Sequence, residues 1–332
     1  MKVIAIGDPQ FRVVIVVEVD MFMNKIESLA KREAPDLIVI LGDLLHTHEK
    51  IFTIALNKAY EFVRRMRDIS PTYVLVGNHD YIQNSQFLTE NHWMNAMKDW
   101  DNVVIVDTVI RLVKKGEKLV FVPYVPNGRF LEALETGEEW RDADCIFAHQ
   151  EFAGCKMGAI ISIDGDRWPE DYPRIVSGHI HSKQTPQPNI YYTGSAMQHA
   201  FGESDKNVIP IITFPYNVKE IDLDLPRKKI IYMDMDKIED FVPKETNDQL
   251  KLTISGSFDE FKTFKKTEKY KELTKNGTKV VFKAKKEITN QKETTDTNFR
   301  DILFKLVSET KNKTLLEYYE LVINNRKIIF DE

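Results

Sequence analysis

The N-terminal part of the chain alternates two hydrophobic periods. Residues 3–7 are a short apolar run ending at Asp8, and residues 20–33 set Phe22, Ile26, Leu29 and Ala30 on one helical face. Residues 36–41 are continuously apolar, residues 51–67 align Ile54, Ala55, Ala59, Phe62, Val63 and Met66, and residues 73–76 form another run closed by Gly77. Continuous runs suit strands buried on both faces, and a 3.6-residue repeat suits a helix lying on a sheet. Strand, helix, strand, helix, strand predicts parallel pairing with right-handed crossovers.

After Asp80 short strands dominate. A helix is expected over 87–99, and strands over 103–106, 111–113 and 119–122, with Gly116 turning a hairpin between the last two. The glutamate-rich stretch 127–143 reads as surface helix and loop, and strands resume at 145–148, 175–177, 190–193 and 208–214. So many short strands predict a second sheet packed on the first. Residues 13–17 are apolar where a loop should be, which leaves an extra strand or a partner contact open. From about residue 237 Lys, Thr and Glu rise, and 250–255, 258–273 and 279–283 read as a small β-α-β unit with a turn at Asn276-Gly277. Residues 286–296 read as linker and 299–323 as one amphipathic helix or two short ones. The expected class is α/β, in two domains, 1–236 and 237–332.

Composition trims the options. The 332 residues are 42% hydrophobic and 29% charged, ordinary for a soluble globular protein. No apolar run approaches the ~18 residues of a membrane span, and the chain enters a strand directly after Met1, so neither a membrane role nor a signal peptide is expected. Two cysteines, Cys145 and Cys155, make neither a disulfide framework nor a structural zinc site. The expected compartment is reducing and intracellular: cytoplasm, or host cytoplasm for a viral protein. A net charge of −5 excludes wholesale electrostatic binding to nucleic acid. Residues 251–292, however, hold 12 Lys/Arg against 5 Asp/Glu. By itself such a run is a solvated surface.

The placement of polar residues is more telling. Asp8, Asp43, the run Gly77-Asn78-His79-Asp80, His149 and the run Gly178-His179-Ile180-His181 each close or follow a strand-like run. A lone Asp there is commonly a turn or cap residue. Three adjacent functional groups after a buried strand have no packing role, and imidazoles at i and i+2 of an extended segment share a side and can address two neighbouring metals. Carboxylate, carboxamide and imidazole suit Mn²⁺, Fe²⁺ or Zn²⁺. Two such ions ~3.5–4 Å apart clamp a phosphate and generate hydroxide at neutral pH. The residues predict a two-metal phosphoesterase site.

Asp8-Pro9-Gln10, Gly42-Asp43, Gly77-Asn78-His79-Asp80, His149 and Gly178-His179-Ile180-His181 together resemble the five blocks of the calcineurin-like metallophosphoesterases, over residues 1–215. The resemblance implies a four-layer α/β/β/α metallophosphoesterase sandwich, here with a small α+β capping domain. It implies a first metal among Asp8, Gln10, Asp43 and His181, and a second among Asp43, Asn78, His149 and His179, with Asp43 bridging. Mn is the expected metal, with Fe, Zn and Mg as alternatives. His79 would bind no metal and instead approach the phosphate as acid or orienter. Gln10 departs from the pattern, since the family has histidine there. A carboxamide oxygen is neutral and coordinates more weakly, which predicts a weakened or metal-selective first site.

Within the family the chain is similar to the SbcD-type DNA-repair nucleases, including their phage and viral relatives. The similarity rests on Asp43-Leu44-Leu45-His46, on Thr193-Gly194-Ser195-Ala196 followed by Phe201-Gly202-Glu203, and on the β-α-β unit. It implies an exonuclease on DNA ends and endonuclease on single strands, using a two-metal hydroxide mechanism. It implies that His46 positions substrate, and that Lys262, Lys265, Lys266 and Lys269 contact DNA phosphates. The implied assembly is a homodimer working with an SbcC-type coiled-coil ATPase in repair and recombination; the final helix would dock that partner or simply pack on the core. A small-molecule phosphodiesterase or phosphomonoesterase, and a catalytically weak DNA-end-binding subunit, remain alternatives. His48, His92 and His199 read as surface or packing histidines, and Trp93 and Trp100 as packing residues.

Overall fold

A computed structural model describes residues 1–48, 50–244, 246–285 and 299–323, so the linker expected over 286–296 lies outside the described residues. The strands β1 (Lys2–Ile6), β2 (Leu37–Ile40), β3 (Thr72–Leu75) and β4 (Val103–Val106) lie side by side and parallel. The helices α1 (Val16–Glu33) and α2 (Thr53–Arg67) connect the first three. The chain then builds a second sheet from β5 (Ile110–Lys114), β6 (Glu117–Val122), β7 (Cys145–Ala148), β10 (Ile175–Ser177), β11 (Gln184–Gln187) and β12 (Ile190–Tyr192). A short helix, α3 (Phe130–Leu134), and a small hairpin of β8 (Lys156–Met157) and β9 (Ile160–Ile161) interrupt it. The chain finally returns to the first sheet as β13 (Ile209–Thr213), antiparallel beside β1, and β14 (Asn217–Ile221), antiparallel beside β13 at the edge.

Strand alternation explains the layering. Along β1, Val3 and Ala5 enter one core while Ile4 and Ile6 enter another; along β2, Leu37 and Val39 part from Ile38 and Ile40 in the same way. In β7, Cys145 and Phe147 join the core shared with β1 and β2, and Ile146 and Ala148 face the opposite side. Each strand is thus apolar on both faces, as a sheet covered on both sides requires. The middle core lies between the sheets, where Phe121 stacks on Tyr73 at 4.3 Å and on Phe147 at 5.5 Å. α1 and α2 cover the first sheet, and α3 with Trp140 and Trp168 covers the second. The result is the four-layer sandwich of the metallophosphoesterase fold.

Several expectations need correction. The apolar segment 13–17 is not a strand: Val13–Ile15 is a 3₁₀ turn leading into α1, because Ile15 and Val19 continue the helical face of Phe22 and Ile26. Val13, Val14 and Val17 stay exposed. The helix expected over 87–99 shrinks to a 3₁₀ turn, Trp93–Met97. Phe87 and Leu88 pack on the second sheet's outer core while Met94 and Met97 pack on the helix-side core of the first, and no single helix serves both.

The C-terminal β-α-β unit has a strand more than expected. β15 (Lys228–Asp234) pairs in parallel with β16 (Gln249–Gly256), which pairs in parallel with β17 (Lys279–Ala284). The basic helix between the last two breaks into α4 (Phe258–Phe264) and α5 (Glu268–Lys275), because Thr267 turns its hydroxyl onto Tyr270 N and caps a new start. The change of composition at 237 does not coincide with a packing boundary. Contacts divide the chain into Met1–Ala284 and Lys285–Glu332. Within the first unit, Lys228 N donates to Gln198 Oε1 at 2.6 Å, and Gln249 hydrogen-bonds Glu18 of α1. The second unit contains α6 (Phe299–Glu309) and α7 (Lys313–Ile323), broken at Lys311 in the left-handed region. Among the described residues no helix is long and apolar enough to cross a membrane.

Phe62 locks α2 to α1 and to the loop after β1, with its ring 5.5 Å from both Phe11 and Phe22. Phe62→Ala should destabilise the protein by about 3–5 kcal/mol, read as a shifted urea midpoint with unchanged slope.

Candidate metal centre

Because β1, β2, β3, β7 and β10 run parallel within their sheets, their C-terminal ends gather at one edge, where ligands bind in open α/β sheets. Asp8, Asp43, Asn78, His149 and His179 follow those ends and are brought together. The turns are tight. Asp8, Gln10, Asp43 and His179 all adopt left-handed backbone, at φ of 42°, 44°, 49° and 77°. Such residues cost about 1–3 kcal/mol each and persist only where the surroundings impose them. Here Gln10 N donates to Asp43 O at 2.9 Å and Phe11 N to Leu44 O at 2.8 Å, lacing the first two turns together. Gly77 permits the closest approach, since a Cβ there would stand 2.3 Å from Asp43 N and Oδ1.

Asp43 divides its carboxylate between the two expected sets. Oδ1 accepts the backbone N–H of His79 at 2.8 Å and lies 3.4 Å from His149 Nε2. Oδ2 lies 3.3 Å from Gln10 Nε2 and 3.8 Å from His79 Nε2. Burial alone would raise its pKa, but the surrounding histidines and the His79 N–H hold it below the usual carboxylate value. Asp8 is driven the other way, up to about 6, by burial and by Asp43, against the pull of His149. Its two oxygens accept His179 N at 2.9 and 3.1 Å.

The second set converges on one point. His149 Nδ1 lies 2.5 Å from Leu41 O, a carbonyl that can only accept, so Nδ1 carries a proton and Nε2 is the nitrogen left to face a metal. That nitrogen faces Asn78 Oδ1 at 3.0 Å and Asp43 Oδ1 at 3.4 Å. Asn78 Oδ1 is also 2.9 Å from His179 Nδ1, and burial pushes the His179 imidazole down to about 3, leaving it neutral. Acceptors facing acceptors in a buried space are what a divalent cation resolves. One donor atom from each of Asp8, Asp43 and His149 lies within 4.8 Å of the others. The second set therefore fits a divalent metal, with the Leu41 carbonyl fixing the ligand tautomer as metal-bound histidines require.

The first set is organised differently. His181 turns Nδ1 to Glu203 Oε1 at 3.4 Å, and its Nε2 lies 3.0 Å from Gln10 Nε2. Gln10 Oε1 points away from Asp43, to His46 Nδ1 at 2.9 Å. The N–H groups of Gln10, rather than its carbonyl oxygen, face Asp43 and His181.

Other residues act in ways the sequence did not indicate. Asp80 is buried and takes backbone N–H groups of Leu44, Leu45 and Gly77 and the indole N–H of Trp93, at 3.0–3.3 Å. It binds the loop after β2 to the loop after β3, and burial with the Asp43 charge raises its pKa to about 7. Trp93 is thus more than packing. His48 takes the packing role, with its ring stacked on His79 at 4.3 Å, and His46 lies parallel to His79 at 5.8 Å. His199 is buried and donates Nε2–H to Asp8 O at 2.9 Å, fixing the first turn. His92 does play the expected structural role, joining Met94 N to Asp107. Glu203, which the sequence marked only by resemblance, is held by the backbone N–H groups of His199 and Ala200 at 2.8 and 2.9 Å. Lys262, Lys265 and Lys266 are exposed on or beside α4, and Lys269 is half-buried on α5.

A family-level sequence model, Calcineurin-like phosphoesterase, matches residues 1–209. The chain belongs to the calcineurin-like phosphoesterases. Its relatives include 078R of Invertebrate iridescent virus 3, 46% identical over 328 residues, covering 95% of this chain and 94% of its own. The 244L protein of Invertebrate iridescent virus 6 is 47% identical over 280 residues, covering 80% of this chain and 97% of its own. Both carry phosphoesterase names. Among solved structures, Yfce, a phosphoesterase from E. coli, aligns at a TM-score of 0.34 and 12% identity over 68% of this chain and 100% of its own. As a calcineurin-like phosphoesterase the protein is a hydrolase of a family that uses divalent metals. Asp80→Ala should unpair four N–H groups, costing about 3 kcal/mol or more of stability. Metal affinity should fall at least tenfold by titration calorimetry, about 1.4 kcal/mol.

Proposed function

We propose that this phosphoesterase is a DNA nuclease of the SbcD type, cleaving phosphodiester bonds at DNA ends and within single strands. The observation that carries the reading is that two clefts share residues with the centre. One, of about 600 Å³, is lined by His46, Thr47, His48, Lys50, Phe52, Ile82, Gln83 and Asn84. The other, of about 530 Å³, is lined among others by Lys156, Met157, His179, His181 and Phe201. His46 of the first and His181 of the second meet opposite ends of the Gln10 amide. A phosphomonoester needs room on one side of phosphorus, whereas a diester within a polymer needs it on both. Phe52 and Ile82 offer apolar surface to a base and Lys50 a charge to a neighbouring phosphate, as single-strand binding requires. The exposed lysines 262, 265 and 266 support contacts to DNA phosphates further along.

When bound, the divalent metal supplies Lewis-acid polarisation of the phosphate and a lowered pKa for water. The chain's residues do the positioning. Asp43, Asn78, His149 and His179 would hold the metal, and Asp80 keeps their loops in register. His79 is fixed through its backbone to Asp43 Oδ1 and by its stack on His48, and its Nδ1 has no hydrogen-bond partner among the described residues. It hydrogen-bonds a phosphate oxygen, with His46 beside it orienting the substrate. Work with an SbcC-type coiled-coil ATPase, as a homodimer, belongs to the same proposal. Phe304 and Leu306 of α6 and Leu315 and Tyr318 of α7 expose apolar surface suited to such a partner.

The test compares labelled duplex and single-stranded DNA with bis-p-nitrophenyl phosphate in Mn²⁺. Preferential DNA cleavage is expected; hydrolysis of the small diester alone would make the protein a small-molecule phosphodiesterase. Salt-dependent DNA binding without cleavage would make it an end-binding subunit. His79→Ala should lower kcat by about 10²–10⁴-fold while metal content, measured by elemental analysis, stays unchanged.

A further inference from the structure

Gln10 sits where the family has a metal-binding histidine, and the hydrogen bonds around it leave its amide a single orientation. Arg12 supplies the first constraint. Its guanidinium, which can only donate, lies 3.4 Å from His46 Nε2, so that nitrogen is an acceptor and the proton of the neutral ring is on Nδ1. The resulting Nδ1–H points at Gln10 Oε1 from 2.9 Å. The oxygen is thereby committed to His46, and the amide NH₂ must face the other way. It meets Asp43 Oδ2 at 3.3 Å and His181 Nε2 at 3.0 Å.

On the opposite side Glu203, anchored by the backbone N–H groups of His199 and Ala200, accepts the Nδ1–H of His181 and so turns Nε2 towards the amide. The amide NH₂ thus fills the space between two side chains that in the family would face a cation. Turning the amide over would set its oxygen against the Asp43 carboxylate and its NH₂ against the His46 N–H. It would replace both of these attractive contacts with repulsive ones. Arg12 itself is held in place by a hydrogen bond to His199 O.

From this geometry we infer that the Gln10 carboxamide takes the place of the first metal, so that the protein holds one tightly bound divalent cation, in the Asp43–Asn78–His149–His179 set. Arg12 and His46 act as positioning residues that keep the amide turned inward. Asp8, freed from a first ion, remains within 4.8 Å of donor atoms of Asp43 and His149 and can join the same cation. The inference is independent of which phosphate ester the enzyme cleaves.

The experiment loads the full chain with excess Mn²⁺, removes free metal by gel filtration, and measures manganese per chain with the electron paramagnetic resonance spectrum. The expected result is one ion per chain and the spectrum of an isolated Mn²⁺. Gln10→His should raise the content to two and give the spectrum of a spin-coupled pair. Arg12→Leu releases the His46 tautomer while leaving both ligand sets untouched, and should strengthen a second binding event in calorimetry at least tenfold. Two ions in the natural protein with affinities within tenfold of each other would overturn the inference. So would a folded Gln10→His protein, checked by circular dichroism, that still holds one ion, or a natural protein that retains none.

Discussion

Asp43 is a carboxylate buried at the edge where two sheets deliver their strand ends, and it stays charged only because everything near it is arranged to keep it so. Transfer of a bare carboxylate to such a place costs several kcal/mol. The left-handed turns at Asp8, Gln10 and His179, the glycine at 77 and the Asp80 brace all hold donors or cation ligands against this one group. Each of its oxygens addresses a different neighbourhood. Oδ1 belongs with His149 and Asn78, and Oδ2 with Gln10. The asymmetry of the centre is therefore visible in a single side chain.

Three buried carboxylates in this small volume respond differently to the same burial. Asp43 is held low by histidines, Asp8 is lifted to about 6, and Asp80 to about 7. The divergence follows from what each one touches. Asp80 meets backbone and indole N–H dipoles, so it serves as a brace. Asp43 meets imidazoles on both sides. Position relative to the strand ends, more than residue type, separates the structural acid from the one at the heart of the centre.

Much of this could be read from the chain before folding. Asp8, Asp43, Asn78, His149, His179 and His181 were legible because polar groups at the ends of buried apolar runs have nothing to pack against. The sandwich was legible because continuous apolar runs alternate with helical faces. What escaped reading depends on contacts between distant segments. Glu203 orients His181 from 22 residues away, His48 stacks on His79, and Arg12 sets the tautomer of His46. No local pattern marks such partners. The same reason hid the fate of 87–99, whose apolar residues serve two cores, and of β15, whose strand is half-exposed and flanked by basic residues.

Gln198 joins parts that are otherwise separate. Its amide nitrogen reaches both Glu203 O and Lys228 O, at 3.0 and 3.3 Å, while its oxygen takes Lys228 N at 2.6 Å. Lys228 opens the first strand of the small C-terminal sheet, and Glu203 carries the carboxylate that aims His181. One side chain is thus a mechanical link between the small sheet and the imidazole. A load on that sheet acts on the same hydrogen bonds that fix the direction of His181.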